Sequence, residues 1–154
     1  LVLAYTLYAP KIAEYFQNNE TLKLQNLCTF SARAVSLVSL AIFLLYFFLG
    51  EPLLSIFGPN FTTGHRTLIL ISFAQLISGF TGLAGTLLLM TKGEKLALYA
   101  QIAALVMNIA FNMLLIKSYG MEGAAISTML SIILWNVLMW YFSRKHARID
   151  TSFW

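Results

Sequence analysis

Long runs of uncharged, mostly apolar residues alternate with short charged segments along this chain. Four runs contain no Asp, Glu, Lys or Arg: 34–50, 67–91, 96–116 and 123–143. A helix needs about 20 residues to cross a hydrocarbon core about 30 Å thick. Because the runs are apolar on every side, the pattern favours helices over the alternating strands of a membrane barrel. The sequence therefore predicts an all-α, polytopic transmembrane helical bundle.

The charged segments divide the chain into seven expected parts. These are the end of a preceding transmembrane helix at 1–9, an amphipathic cytoplasmic connector at 10–33, transmembrane helices at 34–57, 67–91, 96–116 and 122–143, and a cytoplasmic tail at 144–154. The chain begins with Leu and its first part is too short to cross, so we expect a fragment. The connector is expected to break at Asn18-Asn19, where an Asn can cap the next helix. Pro52 suits a helix restart near the interface.

Composition and charge support a membrane location. Hydrophobic residues make up 59% of the chain and charged residues 10%, and the mean hydropathy is +0.77, whereas soluble domains carry about 25% charged residues. This excludes disordered and collagen-like classes, and no nucleic-acid partner is expected. We interpret the net charge of +4 as a signal of topology and of contact with anionic membrane lipid.

The basic residues predict an orientation. Eight fall in the connector, in the loop between the spans 67–91 and 96–116 (the third loop, counting the connector as the first) and in the tail. Two fall in the other two loops, before residue 67 and after residue 116. The eight are Lys11, Lys23, Arg33, Lys92, Lys95, Arg144, Lys145 and Arg148, and the two are Arg66 and Lys117. The positive-inside rule therefore places the connector, the third loop and the C-terminus in the cytoplasm.

Signatures of catalysis are absent from the sequence. His65 and His146 lie in opposite predicted loops without Cys or paired carboxylates at metal-ligand spacing, so we expect no metal site and expect both rings to be solvated. No phosphate-binding loop, nucleophile elbow or paired-acid motif occurs. We therefore expect a protein that is not an enzyme and has no cofactor, with H⁺ or Na⁺ open as a coupling ion. Cys28 is interpreted as a small buried apolar residue.

Polar residues inside the predicted spans are the candidates for a substrate path. Gln101, Asn108 and Asn112 are spaced by seven and four residues, which places them on one helix face, and Gln75 lies in another span. Such residues either hold neighbouring helices together or line an aqueous cavity. Arg33 lies at the cytoplasmic end of the first span, where it either sets topology or meets an anionic headgroup or substrate phosphate.

Glycines are concentrated in two places. Gly79, Gly82 and Gly85 recur every three residues, and they could allow either close helix packing or bending. Gly120 and Gly123 open the last span, where tight packing is the favoured interpretation.

Several stretches together resemble a known family of transporters. They are Ala9-Pro10-Lys11-Ile12-Ala13, the run 50–61 that begins Gly50-Glu51-Pro52, the run 119–125 that begins Tyr119-Gly120-Met121, and Arg148-Ile149-Asp150. They resemble the C-terminal region of bacterial polysaccharide and O-antigen flippases. These belong to the MATE-like superfamily, which also includes multidrug and toxin extruders and the lipid II flippase.

The resemblance implies a partial C-terminal lobe of a two-lobed transporter in the bacterial cytoplasmic membrane. It implies alternating access, an undecaprenyl-diphosphate-linked oligosaccharide as substrate, and an N-terminal lobe of the same chain that is missing from this sequence. Two alternatives stay open: a cation-coupled multidrug or metabolite antiporter of the same superfamily, and a non-transporting membrane scaffold for polysaccharide assembly.

Overall fold

The chain folds almost entirely into helices. A computed structural model describes the backbone of residues 2–147 and the side chains of residues 8–146, and that part of the chain contains no strand. The elements are α1 (Val2–Gln17), α2 (Thr21–Ser55), a 3₁₀ helix (Pro59–Gly64), α3 (His65–Thr81), α4 (Ala84–Met90) and α5 (Glu94–Ala147). The predicted all-α class is confirmed. The predicted tail beyond residue 147, with Arg148, lies outside the described residues.

Two helices, α2 and α5, are long and apolar enough to cross a membrane. A third span results if the 3₁₀ helix, α3 and α4 are counted as one bent segment. Much of the apolar surface of α2 is exposed, including Leu37, Val38, Phe47 and Phe48. Exposed apolar faces of this extent belong in lipid or against further protein, so the chain is a membrane protein.

The predicted connector is helical on both sides of a short turn. α1 continues through Pro10 to Gln17, and α2 begins at Thr21. Asn19 lies in the turn with φ 56°, a left-handed conformation that Asn adopts more readily than most residues. The expected Asn cap is wrong, because the capping position of α2 is Glu20, whose side chain makes no capping hydrogen bond. Glu20 instead forms an ion pair with Lys23 at 3.0 Å.

α2 runs unbroken past the expected restart. Its 35 residues correspond to about 50 Å, which exceeds the hydrocarbon core by about 20 Å. Pro52 lies inside the helix, one turn before its end at Ser55, so the missing proline N–H removes only a single late hydrogen bond. Beyond this end Gly58 has φ 124°, where the chain turns into the 3₁₀ helix.

The predicted span 67–91 is divided into two helices. α3 ends at Thr81, Gly82 adopts φ 58°, and α4 begins at Ala84. The helix axes meet at a bend of 50°. Positive φ is accessible to glycine without a steric penalty, so Gly82 provides the backbone conformation that the bend requires.

α5 folds back on itself at Gly120. This residue has φ 52° and ψ −125°, so helical hydrogen bonding cannot continue straight through it. Met139 packs in one cluster with Ala97 and Ala100, and His146 Nε2 lies 2.8 Å from the Thr91 carbonyl oxygen. The first arm (94–119) and the second arm (121–147) therefore run antiparallel. The predicted spans 96–116 and 122–143 fall on these two arms.

Basic residues gather at one end of the bundle. Leu24 and Cys28 share a cluster with Leu83 and Leu87, which lie shortly before Thr91, the residue that contacts His146. The start of α2, the turn after α4 and the end of α5 are thereby brought together. We call this the basic end and define it by Lys23, Lys92, Lys95, Arg144 and Lys145. At the opposite end Arg66 lies 3.7 Å from Glu122.

The cluster at the start of α2 confirms the interpretation of Cys28 as a buried apolar residue. Its relative exposure is 0%, and it packs with Ile12, Leu24, Leu83 and Leu87. We expect a water-soluble maleimide to modify this thiol at least about tenfold more slowly than an exposed cysteine, because modification requires local opening. The Cys28→Ser/Leu22→Cys variant is the comparison, since Leu22 is 80% exposed. A gel-shift time course that gives equal rates would contradict the packing of α1 on α2.

Candidate functional site

A cleft opens beside the bend, between α4 and the two arms of α5. Its volume is about 370 Å³, at the small end of the range for ligand sites. The lining residues are Gly82, Gly85, Thr86, Leu89, Glu94, Ala97, Leu98, Gln101, Trp135, Asn136 and Met139. Most of this surface is apolar, with a few polar groups, as is typical of small-molecule sites. The cleft brings together three residues singled out from the sequence: Gln101, Gly82 and Gly85.

One face of the first arm of α5 carries a row of polar side chains. Gln101 lies in the cleft, and Asn112 Nδ2 donates to Asn108 Oδ1 at 2.9 Å further along the arm. Asn112 Oδ1 is buried without a hydrogen-bond partner among the described residues. Glu94 lies seven residues before Gln101 and therefore shares its face. We call Glu94, Gln101, Asn108 and Asn112 the polar stripe.

The polar stripe runs along an otherwise apolar helix surface. Leu98, Leu105, Ile109 and Met113 are all exposed on the same arm. An amide that enters hydrocarbon without a hydrogen-bond partner costs several kcal/mol, roughly 2–7 by transfer scales. In a membrane this face therefore has a lower free energy when it contacts water, protein or a polar ligand than when it contacts lipid tails.

Sequence reasoning missed Glu94 and Trp135 as lining residues. For Glu94 a signal was present, because its seven-residue spacing from Gln101 repeats the spacing between Gln101 and Asn108. Trp135 had no such signal, since its place in the cleft depends on the fold-back of α5. Its indole N–H is buried and unpaired within the described part of the chain.

Asn136 joins the second arm of α5 to the last turn of α3. Its Oδ1 accepts hydrogen bonds from Thr81 Oγ1 at 2.9 Å and from Ser78 Oγ at 3.2 Å. Its Nδ2 donates to the Ile132 carbonyl oxygen at 2.8 Å. Asn136 is only 6% exposed. This amide fixes α5 against α3 directly before Gly82, where the chain bends.

The three glycines around the bend have different environments. A Cβ built on Gly79 would lie 2.8 Å from Ser39 Oγ and 3.3 Å from Ser36 Cα, so this glycine permits close packing of α3 on α2. Gly82 supplies the bend. A Cβ on Gly85 would meet nothing within 4 Å, and this glycine leaves one side of the cleft open.

The two glycines of the last span build the reversal of α5. A Cβ on Gly120 would also meet nothing within 4 Å, so its requirement is conformational. Gly123 is different, because a Cβ there would overlap the Leu115 carbonyl group. Close approach of the chain to itself across the turn therefore depends on Gly123.

Arg33 and Gln75 lie away from the cleft. Both are exposed, Arg33 on α2 and Gln75 on α3. Among the described residues that line the cleft, Glu94 carries the single formal charge. The cleft thus has no lining cation to face a substrate phosphate.

The two histidines make interactions that the sequence did not predict. His65 Nε2 lies 3.2 Å from the Tyr46 carbonyl oxygen, and a Cβ on Gly50 would lie 2.8 Å from the same nitrogen. His146 contacts Thr91 as described above. His146 is exposed and His65 is partly exposed, in line with the expected solvation, and each ring also contacts a backbone carbonyl oxygen of another segment. Within the described residues, no group of three His, Cys, Asp or Glu side chains could hold a metal ion.

The fold and the polar stripe define a helical membrane protein with polar groups on a helix long enough to cross a membrane. No family model matches the chain, and no solved structure is significantly similar to it. The chain is similar to the probable low-salt glycan biosynthesis flippase Agl15 of Haloferax volcanii, with 28% identity over 145 residues. The match covers 94% of this chain and 29% of that protein, so the chain spans less than a third of this relative's length. This similarity agrees with the predicted resemblance to glycan flippases.

Proposed function

We propose that this chain is the C-terminal part of a flippase that moves a lipid-linked oligosaccharide across the cytoplasmic membrane for polysaccharide assembly. The observation that carries the proposal is the polar stripe, a row of hydrogen-bonding side chains on an apolar helix long enough to cross a membrane. The similarity to a protein named as a glycan biosynthesis flippase supports it.

The chemistry of the cargo explains why such a stripe is needed. Sugar hydroxyls and phosphates cannot enter hydrocarbon without losing hydrogen bonds to water. Gln101 and Asn108 are one heptad apart on the arm, a rise of about 10 Å, so successive amides can replace water along a glycan. Neutral amides bind hydroxyl groups weakly enough to release them, because a single such hydrogen bond contributes about 0.5–1.5 kcal/mol.

The proposed mechanism is alternating access between two helical lobes. The remaining lobe belongs to the part of the protein outside this chain, and the polar stripe faces the path between the lobes. The positive-inside rule places the basic end in the cytoplasm of a bacterial cell, as the motif resemblance implies. The cleft then lies near the side on which the undecaprenyl-diphosphate-linked oligosaccharide is loaded. Arg33 is a candidate contact for its diphosphate.

Transport by the purified protein tests this function. The protein is expressed from its complete coding sequence and reconstituted into vesicles with an undecaprenyl-diphosphate-linked oligosaccharide that carries a radiolabelled terminal sugar. A membrane-impermeant exoglycosidase outside the vesicles reports arrival at the outer leaflet. We expect the protein to raise the rate above that of protein-free vesicles. The double variant Gln101→Leu/Asn108→Leu should lower it at least about tenfold, which corresponds to about 1.4 kcal/mol in the barrier.

A matched control separates the stripe from a general effect of losing an amide. Gln17→Leu removes the same group from an exposed position at the end of α1 and should leave the rate unchanged. A scaffold predicts no transport by the purified protein. An antiporter predicts exchange of a drug cation against an H⁺ or Na⁺ gradient without movement of the glycan. Either result would overturn the flippase proposal.

A further inference from the structure

We propose that the cleft beside the bend binds one part of the glycan, a neutral or amino sugar, and does not bind the diphosphate. The identity of the ligand rests on the proposed function. The binding itself concerns the cleft alone, and free sugars can test it.

The first argument is the combination of groups that line the cleft. Trp135 provides an aromatic side chain, and Gln101 and Glu94 provide an amide and a carboxylate that line the same cleft. Sugar rings have apolar C–H faces that pack on aromatic rings, while their hydroxyl edges need donors and acceptors. Asn136 has little left to offer a ligand, because its Oδ1 accepts from Ser78 and Thr81 and one of its two amide N–H groups donates to Ile132.

The second argument is charge. Glu94 is the one charged side chain among the described residues that line the cleft. Lys92 and Lys95 flank Glu94 in the chain but do not line the cleft. A phosphate or a uronic acid inside the cleft would therefore meet this carboxylate and be repelled by it, whereas a protonated amino sugar would be attracted. The cleft therefore selects against anionic groups.

The third argument is size and access. A volume of about 370 Å³ suits a part of a glycan. Gly85 adds no side chain, and a Cβ there would meet nothing within 4 Å. The side of the cleft that Gly85 lines is therefore open to a sugar ring. Glu94 starts α5 directly after the turn that holds Lys92, at the basic end. A sugar can thus enter from the aqueous interface without crossing hydrocarbon.

Ligand-observed NMR with three probe sugars tests this site. The protein, expressed from its complete coding sequence, is placed in lipid nanodiscs and titrated at neutral pH with the methyl glycosides of a hexose, a hexosamine and a hexuronic acid. We expect the hexose and the hexosamine to bind and the hexuronic acid to bind at least about tenfold more weakly. Glu94→Gln should raise hexuronic acid binding to the level of the hexose. Glu94 is exposed, so this variant should fold normally.

The tryptophans provide a matched pair. Trp135→Leu should abolish sugar binding, whereas Trp140→Leu should retain it, because Trp140 packs with the Arg144 guanidinium, 5.5 Å from its ring centre. Thermal unfolding of both variants shows whether the fold persists.

Equal binding of hexose and hexuronic acid, or full binding by a folded Trp135→Leu variant, would overturn the proposal. If free sugars fail to bind while the lipid-linked glycan still crosses, the cleft assignment fails and the flippase function stands. If free sugars bind as expected while the lipid-linked glycan does not cross, the cleft assignment stands and the flippase function fails.

Discussion

Alanine in place of Gly123 should destabilise the protein by about 1–3 kcal/mol, the range found for overpacking in a closed interior. The added methyl group would overlap the Leu115 carbonyl group. This contact is with backbone, so no side-chain rotation can relieve it. The chain would have to open at the reversal, which separates the two arms of α5. We expect a lower midpoint of thermal unfolding in detergent or nanodiscs.

Gly85→Ala is the matched control for this substitution. The same methyl group is added to a glycine inside a helix, where it meets nothing within 4 Å. Alanine there should stabilise the fold slightly, by up to about 1 kcal/mol, because it restricts the unfolded backbone. If Gly123→Ala unfolded at the same temperature as the unmodified protein, the close approach across the turn would be disproved.

Leucine in place of Asn136 should cost about 1–2 kcal/mol and loosen the bend between α3 and α4. The Ser78 and Thr81 hydroxyl groups would lose their shared acceptor inside the bundle, and an unsatisfied buried group costs about 1–3 kcal/mol. The effect should lie in the lower part of that range, because Thr81 Oγ1 also lies 3.0 Å from the Ser78 carbonyl oxygen. Spin labels at the exposed positions Ile71 and Leu89 should show a broader distance distribution in the variant.

A double-mutant cycle isolates this interaction. Thr81→Val removes one donor, and its combination with Asn136→Leu should cost less than the sum of the single changes. Couplings measured between helices in membranes average about 0.6 kcal/mol and reach about 1.7 kcal/mol, so a coupling in this range is expected. Strict additivity, together with an unchanged distance distribution, would show that Gly82 sets the bend without help from Asn136.

Local patterns in the sequence were sufficient to predict which segments are helical, but not where the helices break or continue. Whether a segment forms an apolar helix depends on its own composition and periodicity, so the uncharged runs predicted helices that the structure contains. The polar stripe was predictable for the same reason, since spacings of seven and four residues place side chains on one face of one helix. The expected Asn cap before α2 failed because Asn19 adopts left-handed geometry instead, a choice between two conformations that Asn tolerates.

The tertiary structure alone decided what these residues contact. Equal three-residue spacing could not distinguish Gly79, Gly82 and Gly85, yet one packs on α2, one forms the bend and one borders the cleft. The side-chain partners of Asn136 lie more than fifty residues away in the chain, and Trp135 lines the same cleft as Gln101 only because α5 reverses at Gly120. Periodicity along one helix is a local property that the sequence determines by itself. Contacts between helices depend on the bends and reversals that bring distant segments together.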